Sequence, residues 1–190
     1  MKYDKATLVD VLLPAFSVLG RYCECRPDDA SGLHLFGLIC ESLGHLEWGT
    51  IMITRAITIL ESAYEDTEDP EVERRFIIAN SNLGRLRLSV GDYQGAVESF
   101  ESAVGFVGEP TDHTSEVLRI QAHLGLGIAN FMQGDLQAAL GLFEAALESF
   151  GDNLAPRGQV SVLRAQIMWA IQADGFKETA KAQLLEWSVL

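Results

Sequence analysis

Two stretches of this chain align without a gap at an offset of 43 residues. Leu83-Gly84, Gly91-Asp92, Ala96, Phe100 and Ala103 in one match Leu126-Gly127, Gly134-Asp135, Ala139, Phe143 and Ala146 in the other. A weaker copy lies 47 residues before the first, in Phe36-Gly37, Gly44-His45, Gly49, Ile53 and Ala56. Self-similarity at this period marks a repeat architecture, in which each unit buries its apolar face only against its neighbours. The matched residues say what the unit is. Gly44, Gly91 and Gly134 suit the left-handed conformation that ends a helix. Asp92 and Asp135 follow at once and suit the N-cap of the next helix, so stop and start together predict a tight antiparallel helical hairpin. Gly84, Ala96, Gly127 and Ala139 let the two helices approach, and Phe100 and Phe143 fill the space beside them.

The pairing of Leu83-Gly84 with Ala96, Phe100 and Ala103, and of Leu126-Gly127 with Ala139, Phe143 and Ala146, resembles the tetratricopeptide repeat. The resemblance implies an all-α fold: a right-handed superhelix of stacked helical hairpins. Two departures stand out. The aromatic residues that the family places on the first helix are replaced by Asn80 and Arg87 in one copy and by His123 and Asn130 in the other. The periods of 47 and 43 also exceed the usual value of about 34, so the first helices or the links are enlarged. The links are expected at the acidic stretch from Glu61 to Glu73, with seven carboxylates and Pro70, and at Gly105 to His113. One repeat domain therefore divides into a half repeat at 5–28, repeats at 31–62, 71–106 and 114–150, and a degenerate fourth at 159–188. In the half repeat Pro14 is expected to kink the early turns. Trp169, Trp187 and the terminal Val189-Leu190 do not make a polar capping face, which reads as a slice of a longer solenoid or as an end that docks another chain.

Composition narrows the function. The formal charge of −13 lacks the basic face that phosphate binding needs, which argues against direct nucleic-acid contact. Three cysteines, Cys23, Cys25 and Cys40, give no disulfide framework and fit a reducing cytoplasmic or nuclear compartment. The longest uncharged run, Ile120 to Gly134, is shorter than the roughly 18 apolar residues of a membrane span. No cofactor motif is present: Gly125-x-Gly127 has no preceding strand, and no Gly-Lys-Ser/Thr follows a glycine run. Cys23, Cys25, His34, Cys40 and His45 lack zinc-ligand spacing, and Cys40 sits where a buried helix seam is expected. Asp112, His113 and Ser115 sit together in a predicted link, whereas catalytic triads assemble from distant segments. Neither a metal site nor a catalytic residue is expected.

What remains is a binding surface. In tetratricopeptide superhelices the first helix of each hairpin lines the concave side. By alignment this places His34, Leu38 and Glu41, then Ser81, Arg85 and Leu88, then Leu124, Ile128, Phe131 and Met132, then Ala165 and Trp169 on the groove. Arg85, Leu124, Ile128, Met132 and Trp169 are the candidate partner-binding residues. Family members that clamp a C-terminal carboxylate present several basic and amide groups there, and Arg85 is the one cation offered here. The apolar C-terminal half either receives a partner's apolar segment or is covered by the chain's own next helix.

A closer resemblance rests on Leu43-Gly-His-Leu-Glu-Trp-Gly-Thr-Ile-Met-Ile-Thr-Arg-Ala56, Ile78-Ala-Asn-Ser-Asn-Leu-Gly-Arg-Leu-Arg-Leu88 and Asp92-Tyr-Gln-Gly-Ala96. These are similar to the tetratricopeptide scaffold subunits of the superkiller complex. The resemblance implies a non-enzymatic scaffold in a cytoplasmic assembly that joins a helicase to WD-repeat subunits and passes RNA to the exosome. The alternative is a stand-alone peptide receptor of the co-chaperone type.

Overall fold

The computed structural model describes residues 5–67, 69–105 and 113–149. Among them are seven α-helices and no strand: α1 (Lys5–Cys25), α2 (Ala30–Ser42), α3 (Leu46–Thr67), α4 (Pro70–Ser89), α5 (Tyr93–Gly105), α6 (His113–Gln133) and α7 (Leu136–Ser149). Helices α2 and α3, α4 and α5, and α6 and α7 pair as hairpins, while α3 packs on α4 and α5 on α6. Helix α1 packs on α2 and stays continuous through Pro14, so the proline does not break it. The degenerate repeat at 159–188, with Ala165, Trp169 and Trp187, lies outside the described residues, as does the link at 106–112.

Each hairpin turn is built as its residues dictate. Gly44, Gly91 and Gly134 have φ of 84°, 81° and 98°, a region that side-chain-bearing residues avoid. The residue after each glycine donates its N–H back into the ended helix: His45 to Cys40 O at 2.8 Å, Asp92 to Arg87 O at 2.9 Å, and Asp135 to Asn130 O at 2.9 Å. Asp92 and Asp135 then accept from Gly95 N and Ala138 N, each at 3.0 Å, and so cap the returning helix.

The buried positions follow helical spacing. Helix α3 buries Gly49, Ile53, Ala56 and Leu60, α5 buries Ala96, Phe100 and Ala103, and α7 buries Ala139, Phe143 and Ala146. Opposite them, the first helices bring glycine. A Cβ on Gly84 would stand 2.7 Å from the Phe100 ring and one on Gly127 2.6 Å from Phe143. Phe100 is closed from its other side by Gly125 of the next hairpin, where a Cβ would overlap the same ring. One core joins the hairpins rather than filling each alone: Phe36, Cys40, Ile53, Ala56 and Leu60 meet Phe76, Ala79, Leu83 and Leu86. Each large apolar side chain buried this way contributes about 1.5–3 kcal/mol.

At the acidic stretch the extra repeat length goes into helices, which corrects the expected link there. Helix α3 runs 22 residues to Thr67 and α4 starts at Pro70, so most of Glu61 to Glu73 is helical. The reason is local. Asp69 accepts from Glu71 N at 2.9 Å and Pro70 stands at the first helical position, a strong start that needs no extended spacer. Glu71 pairs with Arg74 and Arg75 within α4, which places its charge on the helix surface. Similarly, α6 begins at His113, so His113 and Ser115 belong to its first turns and not to a link.

Candidate protein-interaction surface

The first helices of the hairpins, α2, α4 and α6, carry the candidate surface. On α6, Leu124, Ile128 and Met132 recur every four residues and share one face. Met132 is 47% exposed, whereas Leu124, Ile128 and Phe131 are half-buried against the Ala139, Phe143 and Ala146 cluster of α7. The aliphatic stripe is therefore partly a hairpin core, with Met132 as its open end. Among the described residues Val117 on α6 and Ile78 on α4 add 38% and 36% exposed apolar surface. Trp169 lies outside the described residues, so its relation to this stripe is a proposal.

Arg85 stands on α4 one repeat before Ile128, and it is not a free cation. Its guanidinium makes a two-pronged bond to Glu41 of α2, Nη1 to Oε1 at 2.5 Å and Nη2 to Oε2 at 2.8 Å. That hydrogen bond raises the Arg85 pKa further above its ordinary value. Two more polar contacts bridge the same helices. Asn82 Nδ2 meets His34 Nε2 at 3.0 Å, and Arg75 Nη1 donates to Ser31 Oγ at 3.3 Å. Burial lowers the His34 pKa, which favours the neutral ring that can accept from an amide N–H. Alignment places Glu41, His34 and Arg85 on this face, but not Asn82 or the pairings themselves, because a pair 44 or 48 residues apart spans two repeats and leaves no local pattern.

The polar residues standing where aromatic ones are usual have partners too. Arg87 reaches across its hairpin to Gly95 O at 2.7 Å and Ser99 Oγ at 3.0 Å, and its charge lies 3.7 Å from Asp92. Asn80 and Asn130 donate to the carbonyls of Phe76 and Leu126 one turn back, at 3.1 and 2.9 Å. His123 Nδ1 lies 2.8 Å from Arg119 O. Arg87 thus replaces ring packing by hydrogen bonds as the hairpin clasp, and nothing in the sequence pattern announces this.

A second open feature lies between α1 and α3 above α2. Phe16, Cys23, Leu33, Phe36, Trp48 and Met52 line a groove of about 510 Å³, with Glu24 and Arg55 as its charged residues. Trp48 is 56% exposed and was not singled out by alignment, since its counterparts Gly95 and Ala138 are small. Burial raises the thiol pKa of Cys23 and of Cys40, which keeps both protonated. Among the described residues, no group of three or more His, Cys, Asp or Glu is placed to hold a metal ion. None of the described helices is long and apolar enough to cross a membrane.

No family model matches the chain. Superkiller protein 3 of Saccharomyces cerevisiae is 27% identical over 179 residues, which cover 94% of this chain and 12% of that protein. Superkiller protein 3 of Schizosaccharomyces pombe is 28% identical over 87% of this chain and 12% of its own length. The chain thus spans about an eighth of these relatives. Among solved structures, the TPR-like repeats of a kinesin-light-chain protein from Podosopora anserina give a TM-score of 0.71 at 18% identity, covering 94% of this chain and 85% of that one. MamA from Desulfovibrio magneticus RS-1 gives 0.65 at 16% identity, covering 100% and 97%. The chain is a tetratricopeptide-type helical-hairpin solenoid, and in sequence it resembles superkiller protein 3.

Proposed function

We propose that this chain is a non-enzymatic interaction scaffold that docks other protein subunits on the face carried by α4 and α6. The observation that carries the reading is the apolar stripe of Leu124, Ile128 and Met132 beside Ile78 and Val117, on a frame of stacked hairpins. Arg85, already satisfied by Glu41, supports subunit docking over capture of a terminal carboxylate, because a free carboxylate must displace an intramolecular one. The co-chaperone-type receptor is accordingly the weaker reading. The similarity to superkiller protein 3 supports a finer assignment: a segment of a cytoplasmic RNA-decay scaffold whose partners are a helicase and WD-repeat proteins, with no direct contact to nucleic acid or membrane. Trp169 is proposed to extend the same binding stripe.

Titration calorimetry of the chain against a purified superkiller helicase and a purified WD-repeat subunit tests the assignment. Binding to either, weakened about tenfold or more by Met132→Glu, is expected. Heats indistinguishable from dilution with both proteins would remove the superkiller assignment. Tight binding of a short peptide through its terminal carboxylate, lost in Arg85→Gln, would favour the receptor.

A further inference from the structure

The two junctions between complete hairpins are built differently. At the second, α4 and α6 pack directly. Ile77 of α4 shares a buried cluster with Ala122 of α6 and Ala103 of α5, and Leu88 packs against the cluster that joins Ala96, Val97 and Phe100 to Leu126 and Ala129. Gly125 of α6 seats against the Phe100 ring of α5, where a Cβ would overlap it, and its counterpart one repeat earlier is Asn82. At the first junction α2 and α4 are not among the closely packed helix pairs. Beside the buried cluster that Phe36 and Cys40 of α2 share with Phe76 and Leu83 of α4, long polar side chains bridge the two helices: Arg75 to Ser31, Asn82 to His34, and Arg85 to Glu41. The opposite side of the same junction is a buried apolar seam, where Ile53, Ala56 and Leu60 share one cluster with Phe76, Ala79, Leu83 and Leu86.

A junction with an apolar seam on one side and a polar ladder on the other has the parts of a hinge. Sliding or tilting about the seam keeps its buried contacts. The Glu41–Arg85 rung is open to water on its arginine side, where Arg85 is 54% exposed while Glu41 is 17% exposed, so its guanidinium can be rehydrated when the rung parts. We propose that the first junction is the adjustable joint of this solenoid, that the Glu41–Arg85 pair is its latch, and that the second junction is rigid. Opening the latch parts α2 from α4 and widens the groove between them while α4 to α7 move as one body. The joint does not depend on which protein docks on the chain.

Distance measurement by pulsed electron paramagnetic resonance tests this. Cys25→Ser removes the exposed thiol, whereas Cys23 and Cys40 are buried. Spin labels are then placed at Ser42 and Glu101 across the first junction, or at Glu101 and Gln137 across the second, all three positions being exposed. Expected is a narrow Ser42–Glu101 distribution at low salt that broadens toward longer distances in Arg85→Gln, in Glu41→Gln and in about 1 M salt, where the screening length falls to about 3 Å. The Glu101–Gln137 distribution stays unchanged throughout, and the charge swap Glu41→Arg with Arg85→Glu restores the narrow form. A Ser42–Glu101 distribution unaffected by both neutral variants, or equal broadening across both junctions, would overturn the proposal.

Discussion

Gly125 shows how one missing atom sets the packing of a junction. Its neighbour is the Phe100 ring, already in contact with Gly84 from the other side, so a methyl group has no space to enter. Gly125→Ala is expected to cost about 1–3 kcal/mol in urea unfolding, the usual penalty of overpacking. Gly141, on an exposed face of α7 with no atom near a built Cβ, is the control. Gly141→Ala should stabilise by about 0.5–1 kcal/mol, because only chain entropy changes. His34 carries a pH signature. Its pKa is lowered in the folded chain, so the unfolded chain binds the proton first as pH falls. The stability contributed by the neutral ring is present above the ordinary histidine value of about 6.5 and is lost as pH falls from there toward the depressed folded value. Unfolding free energy measured from pH 7.5 to 5 should fall more steeply in the native chain than in His34→Gln. Equal slopes would show that the ring is not held neutral by its burial.

At the scale of helices, most of the hairpin was legible because each part has a local cause. A glycine needed for its dihedral, an aspartate needed for its carboxylate and a Phe facing a glycine leave marks at fixed spacing. Asp92→Ala should therefore lower stability by about 1 kcal/mol in thermal unfolding, and Asp135→Ala by a similar amount. Two things were not legible. The acidic stretch reads as a link because carboxylates and Pro70 usually punctuate a chain, yet Asp69 and Pro70 form a helix start and α3 runs on to Thr67. The ladder between α2 and α4 and the Arg87 clasp were also missed. They pair residues of different helices, and a single sequence shows which faces exist but not which side chains meet across them. The partly core role of Leu124 and Ile128 follows from the same limit, since helical spacing does not tell a seam from an open stripe.

Over the whole molecule, the fold is a frame that repeats and a surface that does not. Gly84, Gly127, Phe100 and Phe143 recur because the hairpin needs them, whereas the first-helix positions Glu41, Leu88 and Phe131 or Leu38, Arg85 and Ile128, most of them half-buried, change character from repeat to repeat. A surface that varies on a constant frame is what a subunit-docking scaffold requires. The decisive measurement is site-specific photo-crosslinking of the complex with the helicase or WD-repeat subunit. A photoreactive residue is placed at Met132 on the first helix of its hairpin, or at Gln137 on the second, both exposed in the chain alone. Docking on the first-helix face predicts a crosslink from position 132 to the partner and little from position 137. A crosslink from 137 with none from 132 would contradict that assignment.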